Sequence, residues 1–281
     1  MSPLPQLPPR RAESHKGDYG SSLLIGGSRG MAGAIALAGM ACLRSGAGLV
    51  KLAVPECILD TVAGFEPAYM TVPLACDSSG CIFPEAATQL EPFLQSATCL
   101  ACGPGLSQSA GIQKFVETIY RTAQKPLVID ADGLNALIGN VDGVGHQGPS
   151  RILTPHPGEF HKLFGYAAKN RERQIAAATE IAAKHNVVIV LKGHKSFITD
   201  GTRTAENTTG NPGMASGGTG DVLTGIITAL VCQGLPSFDA AVLGAHVHGL
   251  AGDMAAAELG QVSLIASDLV TYLPQAFQSL A

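Results

Sequence analysis

Residues 207–234 read NTTGNPGMASGGTGDVLTGIITALVCQG, and no other stretch limits the fold and chemistry of this chain as tightly. Gly210, Gly213, Gly217, Gly218 and Gly220 precede an apolar run in which Val222, Leu223, Ile226, Ile227, Leu230 and Val231 recur at helical spacing. Gly234 and Pro236 supply the stop signal. A glycine-rich loop feeding a helix gathers unpaired backbone N–H groups and the positive end of the helix dipole at one point. Such a point binds anions, phosphate above all. Asp221 sits badly in that picture, because a carboxylate repels a bound anion. Either it favours the first turn of its helix, or it is a base that prepares a hydroxyl to receive a transferred phosphoryl group. Glycine costs about 0.5–1 kcal/mol per residue where no special conformation is needed, so its density here favours the second reading.

Apolar residues make up 46% of the chain and charged residues 14%, ample material for a large buried core. A net charge of −4 gives no reason to expect nucleic acid or an anionic membrane surface as partner. Seven cysteines include the pair Cys99 and Cys102, but no second pair at metal spacing follows, and both lie in an apolar run. They read as buried thiols in a reducing compartment. The N-terminal MSPLPQLPPRR has no apolar core of signal length, and no run approaches the length of a membrane span. A cytoplasmic protein is expected. Residues 1–12 form an expected mobile, proline-rich arm, and residues 13–281 a single domain.

Along the chain, strands are predicted at 23–25, 49–54, 70–75, 97–102, 126–130, 152–154, 187–191 and 196–199. Helices are predicted at 31–45, 57–63, 84–95, 109–123, 158–164, 170–185, 221–233, 238–259 and 265–279. Alternation of this kind implies a three-layer α/β/α fold with a mainly parallel central sheet. Ligands of such sheets lie at the carboxyl ends of strands. Gly26–Gly30, Gly103–Gly105, Asp130–Asn135, His156–Glu159 and Lys192–Lys195 all follow strands directly, so they converge on one edge with the glycine loop. Pro155 and Pro157 restrict the backbone on either side of His156 and aim its side chain. Lys192, Gly193, His194 and Lys195 form a basic turn, either a clamp over a nucleotide or a solvated hairpin. His246 and His248 fall in an alanine-rich helix and read as packing residues.

The segments GGSRGMAGA, DADGLNAL, LTPHPGEF, LKGHK and above all NTTGNPGMASGGTGDVL resemble the ADP/ATP-dependent NAD(P)H-hydrate dehydratases, members of the ribokinase-like superfamily. The resemblance runs from about Gly17 to Leu273. It implies a repair reaction in which the C6 hydroxyl of hydrated NADH or NADPH is phosphorylated and phosphate then leaves. Asp221 matches the base, and Gly218, Thr219 and Gly220 the anion hole. Lys192, Gly193, His194, Lys195 and Ser196 match the nucleotide-binding turn, with Gly220 beside it. Ala34, Gly105, His156 and Asp221 match positions lining the hydrated dinucleotide. Glu159 and Asn135 are candidates to orient Mg2+ or its waters. The resemblance further implies ADP as phosphoryl donor, with ATP possible, and a homo-oligomer, in first place a tetramer. Many bacterial relatives carry an N-terminal epimerase domain, which this chain is expected to lack. The alternative is a ribokinase-like ATP-dependent kinase of a small vitamin precursor, which shares the anion hole and base.

Overall fold

In chain order the strands are β1 (Ser21–Ile25), β2 (Leu49–Pro55), β3 (Met70–Leu74), β4 (Cys99–Cys102), β5 (Leu127–Ile129), β6 (Arg151–Leu153), β7 (Val187–Leu191), β8 (Phe197–Thr199) and β9 (Thr204–Glu206). The helices are α1 (Ala32–Arg44), α2 (Leu59–Ala63), α3 (Glu91–Ser96), α4 (Ala110–Thr122), α5 (Asp132–Ala136), α6 (Pro157–Phe164), α7 (Arg171–His185), α8 (Thr219–Cys232), α9 (Ser237–Leu259) and α10 (Ala266–Gln278). This computed structural model describes residues 3–139, 144–145 and 148–280. Met1 and Ser2 of the expected arm, and Ala281 at the far end of the expected domain, lie outside the described residues.

The strands form one sheet in the order β3-β2-β1-β4-β5-β6-β7-β8-β9, parallel from β3 through β7, with β8 and β9 added antiparallel at one edge. The inner strands are mainly apolar because both faces are covered, with Ser22 and Arg151 as buried polar exceptions. Leu24, Val50, Leu52, Ala101, Val128, Ile152, Val188 and Val190 face α1, α8, α9 and α10, whereas Leu23, Ile25, Leu100, Ile129, Leu153, Ile189 and Leu191 face α4, α6 and α7. The period-two alternation along each strand thus separates two cores, and three layers follow. Strand order reverses between β1 and β4, so a crevice opens at their carboxyl ends.

Most expected element types hold; α5 (Asp132–Ala136) forms where no helix is expected after β5, and three further differences are of physical interest. The helix expected over 84–95 splits into a 3-10 stretch, Pro84–Leu90, and α3. Pro92 lies in the first turn of α3, where its ring is tolerated, but it cannot continue a preceding helix. β9 is not predicted because Thr204, Ala205 and Glu206 form a three-residue edge strand in which only half-buried Ala205 packs on the core, too short a stretch to show apolar alternation. The arm sequence also makes contacts: Leu7 packs on the first core, the Arg10 guanidinium lies 3.8 Å from the centre of the Tyr19 ring, and it donates to the Gly46 carbonyl at 2.8 Å.

α8 is the central helix. Every residue from Val222 to Cys232 is buried. It reaches that depth by approaching α1 through small residues, Gly225 facing Ala38 and Ala41: a Cβ on Gly225 would lie 2.1 Å from the Ala38 carbonyl oxygen and 2.9 Å from the Ala41 Cβ. Because the obstacle is backbone, the two helices must separate to admit it. Gly225→Ala is therefore expected to cost roughly 1–3 kcal/mol or more, read as a fall of several degrees in thermal midpoint. Gly33→Ala in α1, where a Cβ meets nothing within 4 Å, is the control and should be neutral or slightly stabilising.

Candidate active site

The glycine loop ends at Gly218, the residue before α8, with φ of 93°, a left-handed conformation that disfavours side chains. The N–H groups of Gly217, Gly218, Thr219 and Gly220 find no acceptor among the described residues, and the first bond back into the loop runs from Val222 N–H to the Gly218 carbonyl. Four donors at the positive end of a fourteen-residue helix are thus held open.

α9 is the platform that keeps the loop in place. Thr209 donates to the His246 carbonyl at 2.8 Å, and Asn211 donates to the Gly252 carbonyl at 2.9 Å. The Asp253 carboxylate accepts from Gly210 N–H at 2.8 Å and from the Asn211 amide at 2.9 Å. The His248 ring Nε2 lies 2.8 Å from the Thr219 carbonyl oxygen. Spacing and composition alone left His248 as a packing residue. Its contact to the anion loop is long-range and leaves no local signal in the sequence.

Beneath the loop sits an ion pair. Asp130, buried at the end of β5, accepts from Lys192 Nζ at 2.7 Å, from Thr154 Oγ1 at 2.7 Å and from Thr224 Oγ1 at 2.9 Å. The position a Gly220 Cβ would occupy is 3.2 Å from Lys192 Nζ and 3.7 Å from Asp130 Oδ2, which puts the pair against the anion loop. Burial works against the Lys192 charge, but Asp130 and Glu159 outweigh it and hold the ammonium above its ordinary range. The sequence reading placed Lys192 with the exposed turn. Its backbone is there, but its ammonium turns inward, while Gly193, His194 and Lys195 are exposed and Ser196 is half-buried. The Arg171 guanidinium shapes the turn by donating to the carbonyls of Leu191, Lys192 and Lys195 at 3.0, 3.1 and 3.3 Å. Asp130, Thr154, Thr224 and Arg171 are thus site-building residues that went unassigned. A run of polar residues each directly after a buried strand was the available signal for the first two.

Asp221 has no hydrogen-bond or ion-pair partner among the described residues. Burial pushes its carboxyl up to about 7, Asp130 adds to the rise, and Lys192 opposes it. A carboxylate poised at neutral pH beside open N–H donors is suited to take a proton from a hydroxyl.

His156 is fixed by its own helix cap as well as by the prolines. Its Nδ1 accepts from the N–H groups of Gly158 and Glu159 at 3.0 and 3.2 Å, and Glu159 Oε2 accepts from His156 N–H at 2.8 Å. Burial and the nearby Lys192 lower its pKa, and because Nδ1 accepts, a neutral ring carries its proton on Nε2. Ala34 and Gly105 meet at the strand-order reversal: a Cβ on Gly105 would be 3.0 Å from the Ala34 Cβ. Leu37, one turn further along α1, lies 2.7 Å from where a Gly218 Cβ would stand, so this corner adjoins the anion loop.

For a divalent cation, the described residues hold no group of three or more His, Cys, Asp or Glu placed to bind a metal. Glu159 spends Oε2 on the cap, leaving Oε1 with the His156 ring at 3.5 Å. Asn135 spends its NH2 on Asp132 at 3.3 Å, leaving its amide oxygen. One oxygen on each fits the outer shell of a hydrated magnesium ion brought in on nucleotide phosphates, the usual mode for that ion. No helix among the described residues is long and apolar enough to cross a membrane.

Known proteins agree with this architecture. The sequence profile of the NAD(P)H-hydrate dehydratases matches residues 22–275. The bifunctional NAD(P)H-hydrate repair enzyme Nnr of Moorella thermoacetica is 44% identical over 279 residues, a match covering 98% of this chain and 52% of that protein. The chain therefore spans about half the length of the relative it matches. Among solved structures, an ADP/ATP-dependent NAD(P)H-hydrate dehydratase from Bacillus subtilis, co-crystallized with ATP and Mg2+, superimposes with a TM-score of 0.84 at 32% identity, covering 98% of this chain and 95% of that one. A ribokinase-like superfamily protein from Enterococcus faecalis gives a TM-score of 0.85 at 28% identity, with 98% and 92% covered. By sequence and by fold alike, the chain belongs to the NAD(P)H-hydrate dehydratase family.

Proposed function

We propose that the chain returns hydrated NADH and NADPH to NADH and NADPH, taking a phosphoryl group from ADP and releasing AMP and phosphate. The observation that carries this reading is Asp221: an unpartnered carboxylate raised to about 7, one residue past the open N–H groups of the anion loop. The family and the Bacillus subtilis neighbour support the choice of substrate and nucleotide.

In the first step Asp221 accepts the proton of the C6 hydroxyl while that oxygen bonds to the β-phosphorus of ADP. The bond from phosphorus to the AMP oxygen breaks. The N–H groups of Gly218, Thr219 and Gly220 face the oxygens on which charge develops. In the second step the C6–O bond breaks with its electron pair on phosphate, helped by the lone pair of the ring nitrogen. Loss of the C5 proton restores the double bond. Phosphate is a far better leaving group than hydroxide, which is why a phosphoryl donor is needed at all. Ala34, Gly105 and His156 line the dinucleotide. Lys192 through Ser196 take the nucleotide, with Lys192 Nζ beside the transferred group and the exposed part of the turn toward the rest of the donor. Glu159 and Asn135 would hold a magnesium ion through its waters, and the ion would supply charge neutralisation at the phosphates. The seven free thiols support a reducing cytoplasm. A single dehydratase domain assembled as a homo-oligomer, in first place a tetramer, completes the reading.

Incubation with ADP and hydrated NADH should regenerate the absorbance of NADH. Phosphate transfer to a vitamin precursor without that regeneration would instead identify a kinase. Asp221→Asn is expected to lower turnover by about 10²–10⁴-fold, since that is what a positioned base contributes. Turnover of the native chain should rise with pH through a midpoint near 7, where Asp221 ionises.

The same residue carries a stability signature. A carboxyl raised in the fold destabilises it progressively as pH climbs from the unfolded value, about 3.9, to the folded one. The thermal midpoint of Asp221→Asn should therefore exceed that of the native chain at pH 8, and the gain should vanish near pH 4. Equal midpoints at both pH values would mean that Asp221 is not held in this environment.

Lys192→Met strands Asp130 and should cost about 3–5 kcal/mol, the usual penalty for breaking a buried pair from one side. Adding Asp130→Asn should return much of that stability in a denaturant titration.

A further inference from the structure

Among the groups that the proposed mechanism leaves unused, His248 is a titratable side chain that reaches the Thr219 carbonyl at the start of α8. It projects from the middle of α9, partly buried, and its Nε2 stands 2.8 Å from the Thr219 carbonyl oxygen. A carbonyl only accepts, so the imidazole donates through Nε2–H. Burial, foremost, lowers its pKa to about 4, and it is therefore a neutral donor throughout the working range. Thr219 is the first residue of α8, and its carbonyl belongs to the same peptide unit as the Gly220 N–H. The peptide unit is planar, so fixing the carbonyl direction fixes the N–H direction opposite to it. A hydrogen bond accepted at the carbonyl also polarises the unit and strengthens its N–H as a donor. That N–H has no acceptor among the described residues, and Gly220 itself adjoins the Lys192–Asp130 pair.

We propose that His248 is a positioning residue for phosphoryl transfer, aiming and strengthening the Gly220 N–H through the Thr219 carbonyl. The inference rests on the reading of the loop as the phosphoryl site. A donor that tightens as charge develops acts on the transition state more than on the bound nucleotide. Its loss therefore belongs in kcat rather than in KM for the nucleotide.

The test compares His248→Phe, which keeps a ring and loses the donor, with His248→Gln, which keeps an N–H donor. His248→Leu replaces the Phe variant if that one does not fold. Steady-state NADH regeneration gives kcat and nucleotide KM, and the amide proton shift of Gly220 is read by NMR with and without ADP. The donor-less variant should lose ~10–100-fold in kcat with nucleotide KM nearly unchanged, somewhat less than the loss from deleting a direct anion-hole donor. Its Gly220 amide proton should move upfield, and His248→Gln should restore much of both. A folded donor-less variant with native kcat and an unmoved Gly220 resonance would overturn the proposal. So would a Gln variant as impaired as the Phe variant. If the native chain regenerates no NADH, the functional reading fails. The Gly220 resonance still reports whether His248 governs that N–H.

Discussion

The buried contact between Asp130 and Lys192 ties the molecule together where it matters. Its 2.7 Å bond joins the ends of β5 and β7, Thr154 brings in the end of β6, and Thr224 brings in α8. Three parallel strands and the central helix are thereby registered against one carboxylate. Such a pair is costly to bury and is retained where its position is useful. Here the position shapes the electrostatics of the anion loop: the ammonium offers positive charge beside Gly220, and the Asp130 carboxylate adds to the burial that raises the Asp221 pKa.

A second organising relation runs between the glycine loop and α9. The loop has few side chains with which to hold itself, and its glycines cost conformational entropy. α9 compensates by presenting successive attachment points, from the His246 carbonyl through His248 to Asp253. Open N–H groups are thus oriented by a rigid element rather than by their own bonds, as a site that must accept a transient charge requires.

Much of this was legible in the chain. The apolar strands, the alternating order and the glycine loop led to the layered parallel sheet, and the rule that ligands gather at carboxyl strand ends brought Gly105, His156, Lys192 and Asp221 toward one crevice. Side-chain direction was hidden. Lys192 reads as part of a basic turn, either a nucleotide clamp or a solvated hairpin, and only the fold reveals that it points to Asp130. His248 reads as packing because its partner, Thr219, is distant in sequence and offers a backbone atom, which no residue type advertises. Asp130 reads only as one residue of a strand-end segment, because nothing local shows that two threonines and a lysine from other elements converge on it. The break at Pro92 was readable in principle, since a proline in an otherwise helical run marks a boundary. β9 was not, being too short to show apolar alternation.

The antiparallel edge has a further consequence. Lys192 closes the last parallel strand, and the chain then leaves the layered body through an exposed hairpin whose outer residues, 193–195, touch none of the buried pair. In the proposed function this separates the machinery of transfer from the surface that meets the remainder of the donor. Lineages would be free to drift at the hairpin and so change their choice of nucleotide. The chemistry itself would stay with the buried Lys192–Asp130 pair and the anion loop beside it.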